Sequence, residues 1–158
     1  MKLALGGGCH WCTEAVFQSL RGVGNVQQGW AKSVAPHDDW SEAVKLVVDL
    51  AVIPLETLLE IHLRTHSSMS SHSMRDKYRS AIYFIDDRAE EVLKAELHHL
   101  QAGFPQPIIT EVLRLEGFKI NEPAFLDYYK TDPTRPFCQT FIEPKLQMLR
   151  DKFKQNVA

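Results

Sequence analysis

Gly6-Gly7-Gly8-Cys9-His10-Trp11-Cys12-Thr13-Glu14 is the stretch from which the rest of the chain is read. The apolar run Leu3 to Leu5 precedes it, and in the segment Thr13 to Leu20 the residues Ala15, Val16 and Leu20 recur at helical spacing. This pattern predicts a strand, a tight turn and a helix. Cys9 then falls where strand gives way to helix, close to backbone N–H groups that have no intrahelical partner. The positive end of the helix dipole favours thiolate over thiol. Such a setting lowers a cysteine from about 8.5 to between about 3.5 and 7.5. Glycines ahead of the sulfur project no side chains, which leaves room for a substrate to approach it. A lone free cysteine is most often a buried small hydrophobe, but two of them three apart at a helix start point to chemistry. Glu14 reads as a structural acid in the first turn, where negative charge is favourable whatever the function.

Working outward, Val26 to Trp30 predicts a short strand, and a polar loop with Pro36 follows. Ala43 to Leu50 is rich in β-branched residues and bounded by loop signals, which predicts a strand. Pro54 is placed to open a helix whose stripe is Leu55, Leu58, Leu59 and Leu63, ending near Thr65. The serine-rich segment from Ser67 to Ser73 has no periodicity and reads as loop. Tyr78 to Ile85 predicts another strand. Strand, helix, strand, strand, helix, strand is the split βαβ order of an α+β, ferredoxin-like two-layer sandwich. A helix from Asp87 to Ala102, a strand from Ile108 to Leu115, a short aromatic-rich helical piece from Glu122 to Tyr129, and a last helix from Pro144 to about Lys154 extend it. Cys138 lies in a proline-interrupted loop before that last helix, a loop expected to be flexible. No internal repeat or linker divides residues 1–158, so a single domain is expected.

The chain has 158 residues, enough for one domain to bury about 70% of its unfolded surface. Eighteen basic against twenty acidic residues, a net charge of −2, mark no nucleic-acid or anionic-membrane partner. No apolar run approaches the ~20 residues of a membrane span, and the opening lacks a signal-peptide pattern. Three cysteines, an odd number, argue against a paired secreted framework. A cytoplasmic chain with working thiols in a reducing compartment is the expectation.

A helix-start thiol beside a second thiol suits two-electron redox work, in which an oxidised sulfur is resolved as a disulfide. Cys12 and Cys138 are both candidates for the resolving role, and Cys138 also reads as a plain buried cysteine. Two other classes fit the same residues. One is a dithiol–disulfide oxidoreductase using Cys9 and Cys12. The other is a metal-binding module drawing on Cys9, Cys12 and histidines such as His66, His72, His98 and His99, against which no second cysteine pair stands at matching spacing.

Residues 7–17, Gly-Gly-Cys-His-Trp-Cys-Thr-Glu-Ala-Val-Phe, resemble the active-site signature of the A-type peptide methionine sulfoxide reductases, which usually have phenylalanine where His10 stands. Trp40-Ser41-Glu42-Ala43-Val44 resembles the family segment that bears an essential glutamate. Lys77-Tyr78-Arg79-Ser80-Ala81-Ile82-Tyr83 resembles its Gln-Tyr-Arg-Ser-Ala-Ile-Tyr, and Pro144-Lys145-Leu146 and Cys138 are similar to its end. The resemblance runs from Leu3 to about Phe153 and implies a ferredoxin-like core. It also implies a mechanism: the Cys9 thiolate attacks the sulfoxide sulfur, a protonated Glu42 donates to the oxygen, and Tyr78 holds that oxygen. Trp11, with His10 and Trp30, would bound the substrate's methyl group. Either Cys12 or Cys138 would resolve the sulfenic acid, and thioredoxin or another thiol would reduce the disulfide, with no metal or organic cofactor. Substrate would be oxidised methionine, free or in proteins, and the chain a monomer. A member that binds oxidised methionine without turning it over is a further alternative. The chain departs from the family at Trp30 and Ser73, where tyrosine and aspartate are usual, and at Phe125-Leu126, where the family has His-Gln.

Overall fold

A computed structural model describes residues 1–72 and 74–158, so the departure at Ser73 lies outside the described residues. The elements are β1 (Lys2–Gly6), α1 (His10–Gln18), β2 (Val23–Lys32), β3 (Ser41–Val48), α2 (Leu55–Arg64), β4 (Ala81–Phe84), α3 (Glu90–Leu100), β5 (Glu111–Arg114), β6 (Gly117–Ile120), α4 (Tyr128–Thr131) and α5 (Glu143–Lys152). They build a six-stranded sheet in the order β5-β4-β1-β3-β2-β6. The inner four, β4-β1-β3-β2, pair antiparallel in the ferredoxin-like order; β5 adds parallel to β4, and β6 adds antiparallel to β2.

Side chains of a strand alternate between faces, and the two faces here differ in size. Leu3, Leu5, Val44, Leu46, Val48, Ile82 and Phe84 form one cluster with Val16 and Phe17 of α1, Leu58 and Leu59 of α2, Leu93 of α3 and Leu149 of α5. Each fully buried side chain of this size contributes roughly 1.5–3 kcal/mol. The opposite face carries Ala4, Ala31, Ala43 and Ala81 with Tyr83, covered by Leu113, Leu115 and Phe118.

That small face lets the sheet roll. β5 and β6 lie at opposite edges, yet only Leu115 and Glu116 separate them in sequence. The Leu115 N–H donates to the Phe84 carbonyl at 2.9 Å and the Glu116 N–H to the Lys32 carbonyl at 2.9 Å. A flat sheet could not be bridged by so few residues, since each spans at most about 3.6 Å. Alanines, with little side chain to fill the concave side, allow the edges to approach.

Several boundaries differ from the sequence expectation. The strand expected from Tyr78 begins only at Ala81, because the backbone before it is used by β3: the Lys77 carbonyl accepts from Glu42 N–H at 2.9 Å and from Ser41 Oγ at 3.0 Å. β2 is longer than Val26 to Trp30, carried past a register shift between Gly24 and Gln27. β6 was not anticipated; Gly117 to Ile120 is too short to show a pattern and is a strand only because β2 offers it an edge.

Candidate active site

Cys9 is the N-cap of α1, with extended φ −59° and ψ 132°, and its carbonyl accepts from the N–H groups of Cys12 at 3.1 Å and Thr13 at 3.2 Å. The helix therefore starts at His10 rather than Thr13, which moves Glu14 out of the first turn expected for it. A hydrogen bond from the Cys12 thiol, helped by the backbone N–H groups of Trp11 and Cys12, lowers Cys9 below an ordinary thiol. Burial and the negative charge of Glu42 oppose this without reversing it. The same hydrogen bond, with burial, pushes Cys12 up, so the pair reads as a Cys9 thiolate accepting from a Cys12 thiol.

Cys138 departs from the flexible loop expected for it. It begins a π-helical turn, Cys138–Ile142, that runs directly into α5, and its side chain is 0% exposed. Its Sγ lies 3.6 Å from the Asp132 carbonyl. Cys12 is 6% exposed and lines the same cavity as Cys9.

A cavity of about 310 Å³ opens on these thiols; Cys9, Cys12, Tyr78, His66, Phe137 and Lys145 are in its wall. Lys145 donates to the Thr65 carbonyl at 2.6 Å and places a cation where it favours a Cys12 thiolate. His66, weighed in the sequence as a possible metal ligand, is held by the protein itself. Its Nδ1 lies 2.6 Å from the His62 carbonyl and its Nε2 2.7 Å from Ser80 Oγ. Since a carbonyl only accepts, Nδ1 carries the proton and Nε2 accepts from the serine. Burial drives both His62, to about 4, and His66 down, so both rings are neutral at neutral pH. The glycines also serve differently from expectation. A Cβ at Gly7, whose φ is +149°, would stand 2.4 Å from the His66 ring, so Gly7 makes room for a histidine while lying with Gly8 in the cavity wall.

Glu42 approaches from the other side of the helix start. On β3 it shares the parity of Val44, Leu46 and Val48, the helix-covered face, and it pairs across the sheet with Trp30 of β2. Its carboxyl is buried, at 6% exposure for the residue. Oε1 accepts from the His10 backbone N–H at 3.1 Å and faces His10 Nε2 at 3.4 Å, while Oε2 faces Lys77 Nζ at 3.5 Å. The His10 ring turns inward, its Nδ1 2.8 Å from the Gly29 carbonyl and its plane edge-on to Trp30 at 5.1 Å.

Trp11 is not an open wall. Tyr128 stacks on it at 4.0 Å and 5°, Phe137 meets it edge-on at 5.4 Å, and its Nε1 is buried without a partner among the described residues. Glu14 holds Tyr128 there. Buried at 2% exposure, its Oε1 accepts from Gln28 Nε2 at 2.9 Å and Tyr128 N–H at 3.1 Å, and its Oε2 from Asp127 N–H at 3.0 Å. Burial outweighs these donors and lifts the Glu14 carboxyl above its ordinary value. An unfolded glutamate titrates near 4.3. Between that pH and the raised folded value, the folded chain keeps a proton that the unfolded chain releases, so stability falls as pH rises through the window. Glu14→Gln, with no proton to lose, is expected to remove that slope, which urea midpoints measured from about pH 4 to 7 check.

Of the residues singled out in the sequence, Cys9, Cys12 and Tyr78 share the cavity wall, and Glu42 lies close enough to act on the Cys9 charge. His10, Trp11 and Trp30 pack behind the helix start and are not part of that wall. His98 and His99 lie exposed on α3, and no group of histidine, cysteine, aspartate or glutamate among the described residues could hold a metal ion. Lys145, Tyr128, Phe137 and Arg75 were missed. Arg75, which donates to the Gly7 carbonyl at 2.7 Å and the Tyr78 carbonyl at 2.8 Å, ties the glycine turn to the segment carrying Tyr78. Only Lys145 lay in a recognisable segment.

Comparison with known proteins gives the same picture at the level of whole chains. A family profile described as peptide methionine sulfoxide reductase matches residues 1–157. The peptide methionine sulfoxide reductase MsrA of Psychrobacter sp. (strain PRwf-1) is 32% identical over 171 residues, covering 99% of this chain and 98% of its own. Among solved structures, Mxr1 from Saccharomyces cerevisiae in reduced form is similar with a TM-score of 0.74 at 22% identity, over 89% of this chain and 90% of that one. Mxr1 in complex with Trx2 is similar with a TM-score of 0.63 at 19% identity, over 77% and 81%.

Proposed function

The chain belongs to the peptide methionine sulfoxide reductase family, and from that premise we propose how its residues reduce methionine S-sulfoxide to methionine. The observation that carries the assignment is the Cys9 sulfur at the start of α1, lowered by the Cys12 thiol and standing beside a buried Glu42. Cys9 attacks the sulfoxide sulfur as a thiolate. Glu42 supplies one proton to the oxygen as it gains negative charge, and Tyr78, in the same cavity wall as Cys9, steadies that oxygen through its phenol. Oxygen passes to Cys9, which is oxidised by two electrons to the sulfenic acid while the substrate sulfur is reduced to methionine. The Cys12 thiol then attacks Cys9, a disulfide forms, and water leaves with the oxygen and the thiol proton.

Cys12 is the first resolving cysteine in this reading. Residues three apart at a helix start lie within disulfide reach, and the Cys12 N–H donates to the Cys9 carbonyl at 3.1 Å. Cys138, sealed at 0% exposure in its π-helical turn, would have to leave its site first. With thioredoxin as the reductant in place of a small dithiol, Cys12→Ser is expected to release a single equivalent of methionine per enzyme and then accumulate sulfenic acid. Cys138→Ser is expected to keep turning over with a dithiol. Product counted per active site, with dimedone labelling followed by mass spectrometry, checks both; burst release by Cys138→Ser alone would exchange the roles.

Thioredoxin is the proposed reductant, supported by the similarity in fold to Mxr1, which was solved in complex with Trx2. We take residues 1–158 to act as one cytoplasmic, monomeric domain that needs no metal or organic cofactor; an odd number of cysteines is in keeping with a reducing compartment. No helix among the described residues is long and apolar enough to cross a membrane. A plain dithiol–disulfide oxidoreductase and a binding-only protein are less well supported, since the family match runs from residue 1 to 157. Steady release of methionine from a sulfoxide substrate with a thiol reductant tests the assignment against both.

A further inference from the structure

Glu42 is asked to give up a proton, yet among the described residues its carboxyl meets a backbone N–H, a lysine ammonium and an imidazole nitrogen, and no group that only accepts. Oε1 takes the His10 backbone N–H and faces His10 Nε2, and Oε2 faces Lys77 Nζ. Such a setting suits a carboxylate better than a carboxylic acid, whose own O–H needs an acceptor. Among the described residues, the neighbour that can serve either way is the His10 ring. Its Nδ1 is committed, because the Gly29 carbonyl at 2.8 Å can only accept and so fixes a proton on that nitrogen. Nε2 is left facing Glu42 Oε1 at 3.4 Å, a contact that closes to a hydrogen bond with a small rotation of either side chain.

We propose that His10 and Glu42 form a proton-sharing pair, in which His10 Nε2 stores the proton that Glu42 delivers to the sulfoxide oxygen. This rests on the reading of Glu42 as the acid. The one shared proton moves from Nε2 to Oε1 and from Glu42 on to the sulfoxide oxygen, leaving an ionised Glu42 and a neutral His10 protonated at Nδ1 alone. One proton is consumed when the Cys9 thiolate becomes sulfenic acid, and one is released when the reduced Cys9 ionises again, so the pair is recharged within each cycle. His10 touches no substrate atom in this scheme; it is a positioning and proton-storing residue acting through Glu42. At 5% exposure it is also shielded from exchange with bulk water.

Protons shared between two interacting sites come off in steps that belong to the pair and not to either residue, so removing one partner changes the pH dependence of the step. The charged groups around the pair are the Cys9 thiolate at the helix cap, Lys77 from the segment before β4, and Lys119 of β6, which sits 5.3 Å from the Trp30 ring that His10 meets edge-on. None of these can replace Nε2, since Lys77 is more than half exposed and Lys119 lies over Trp30 rather than Glu42.

The test is kcat/KM from about pH 5.5 to 9 for wild type, His10→Phe, His10→Gln and Glu42→Gln, with methionine sulfoxide as substrate and dithiothreitol as reductant. His10→Phe and His10→Gln are both expected to bring the alkaline limb to lower pH, so that activity relative to wild type drops about tenfold between about pH 6 and 8. Adding either change to Glu42→Gln is expected to cost nothing more. If His10→Gln reproduces the wild-type profile, His10 only positions the carboxyl and proton sharing is overturned. If both profiles run parallel to wild type while Glu42→Gln is inactive, the storage role fails and the acid assignment survives. If Glu42→Gln is as active as wild type, the acid reading itself fails. Imidazole nitrogen shifts of the resting enzyme give an answer even if a variant does not fold: protonation at both nitrogens of His10 near neutral pH, lost in Glu42→Gln, supports storage, and a ring protonated only at Nδ1 overturns it.

Discussion

Cys9→Ser is expected to leave no measurable release of methionine, a loss on the order of 10⁴-fold or more. The helix cap, the backbone N–H groups and the Cys12 thiol all act on the sulfur by favouring its charged form. An alcohol is not ionised by such an environment at neutral pH, and its oxygen cannot be carried through a sulfenic acid. Substrate binding should change little, because serine occupies the same cap with the same backbone angles. Iodoacetamide labelling at about pH 7 separates the parts of this claim. Wild type should be modified at Cys9 first, since Cys12 is pushed up by the hydrogen bond it donates and Cys138 is buried. Turnover by Cys9→Ser, or first labelling at Cys12, would refute the nucleophile assignment.

Glu42→Gln is expected to reduce kcat by about 10²- to 10⁴-fold, the span associated with losing a positioned acid. The amide oxygen can still accept the His10 N–H, so the fold of the site is retained while the transferable proton is lost. One consequence runs opposite to damage. Whenever Glu42 is ionised its negative charge works against the Cys9 thiolate, so its removal should let Cys9 ionise more readily. Alkylation of Cys9 in Glu42→Gln should therefore persist to lower pH than in wild type even as reduction fails. A variant both slow to reduce and slow to alkylate would mean that Glu42 matters for the shape of the site rather than for its proton.

Much of the fold was legible in the chain because its signals are local. Leu3 to Leu5, Ala43 to Val48 and the stripe Leu55, Leu58, Leu59 and Leu63 announce their periods, and the ferredoxin-like order follows from them. Gly117 to Ile120 announced nothing, being a strand by virtue of a partner more than eighty residues earlier. Rolling of the sheet was equally hidden, since alanines at positions 4, 31, 43 and 81 mean little until they share one face.

In the site, the Cys9 cap and the proximity of Cys12 were readable because three residues at a helix start can be placed without the rest of the molecule. The identities of Glu42 and Tyr78 came through resemblance of their segments, as neither carries a local signal. Glu14 was read correctly as structural and for the wrong reason: it is not a first-turn acid but the acceptor that holds Tyr128 on Trp11.

The amino-acid order by itself determined which sulfur starts a helix, because turn and helix are set by dihedral preferences over a handful of neighbouring residues. Tertiary structure alone decided that Cys138 is sealed, that Trp11 is covered, and that His10 faces Glu42 across 32 positions of chain. Burial and protonation depend on which groups folding brings within a few ångströms, and distance along the chain says nothing about that.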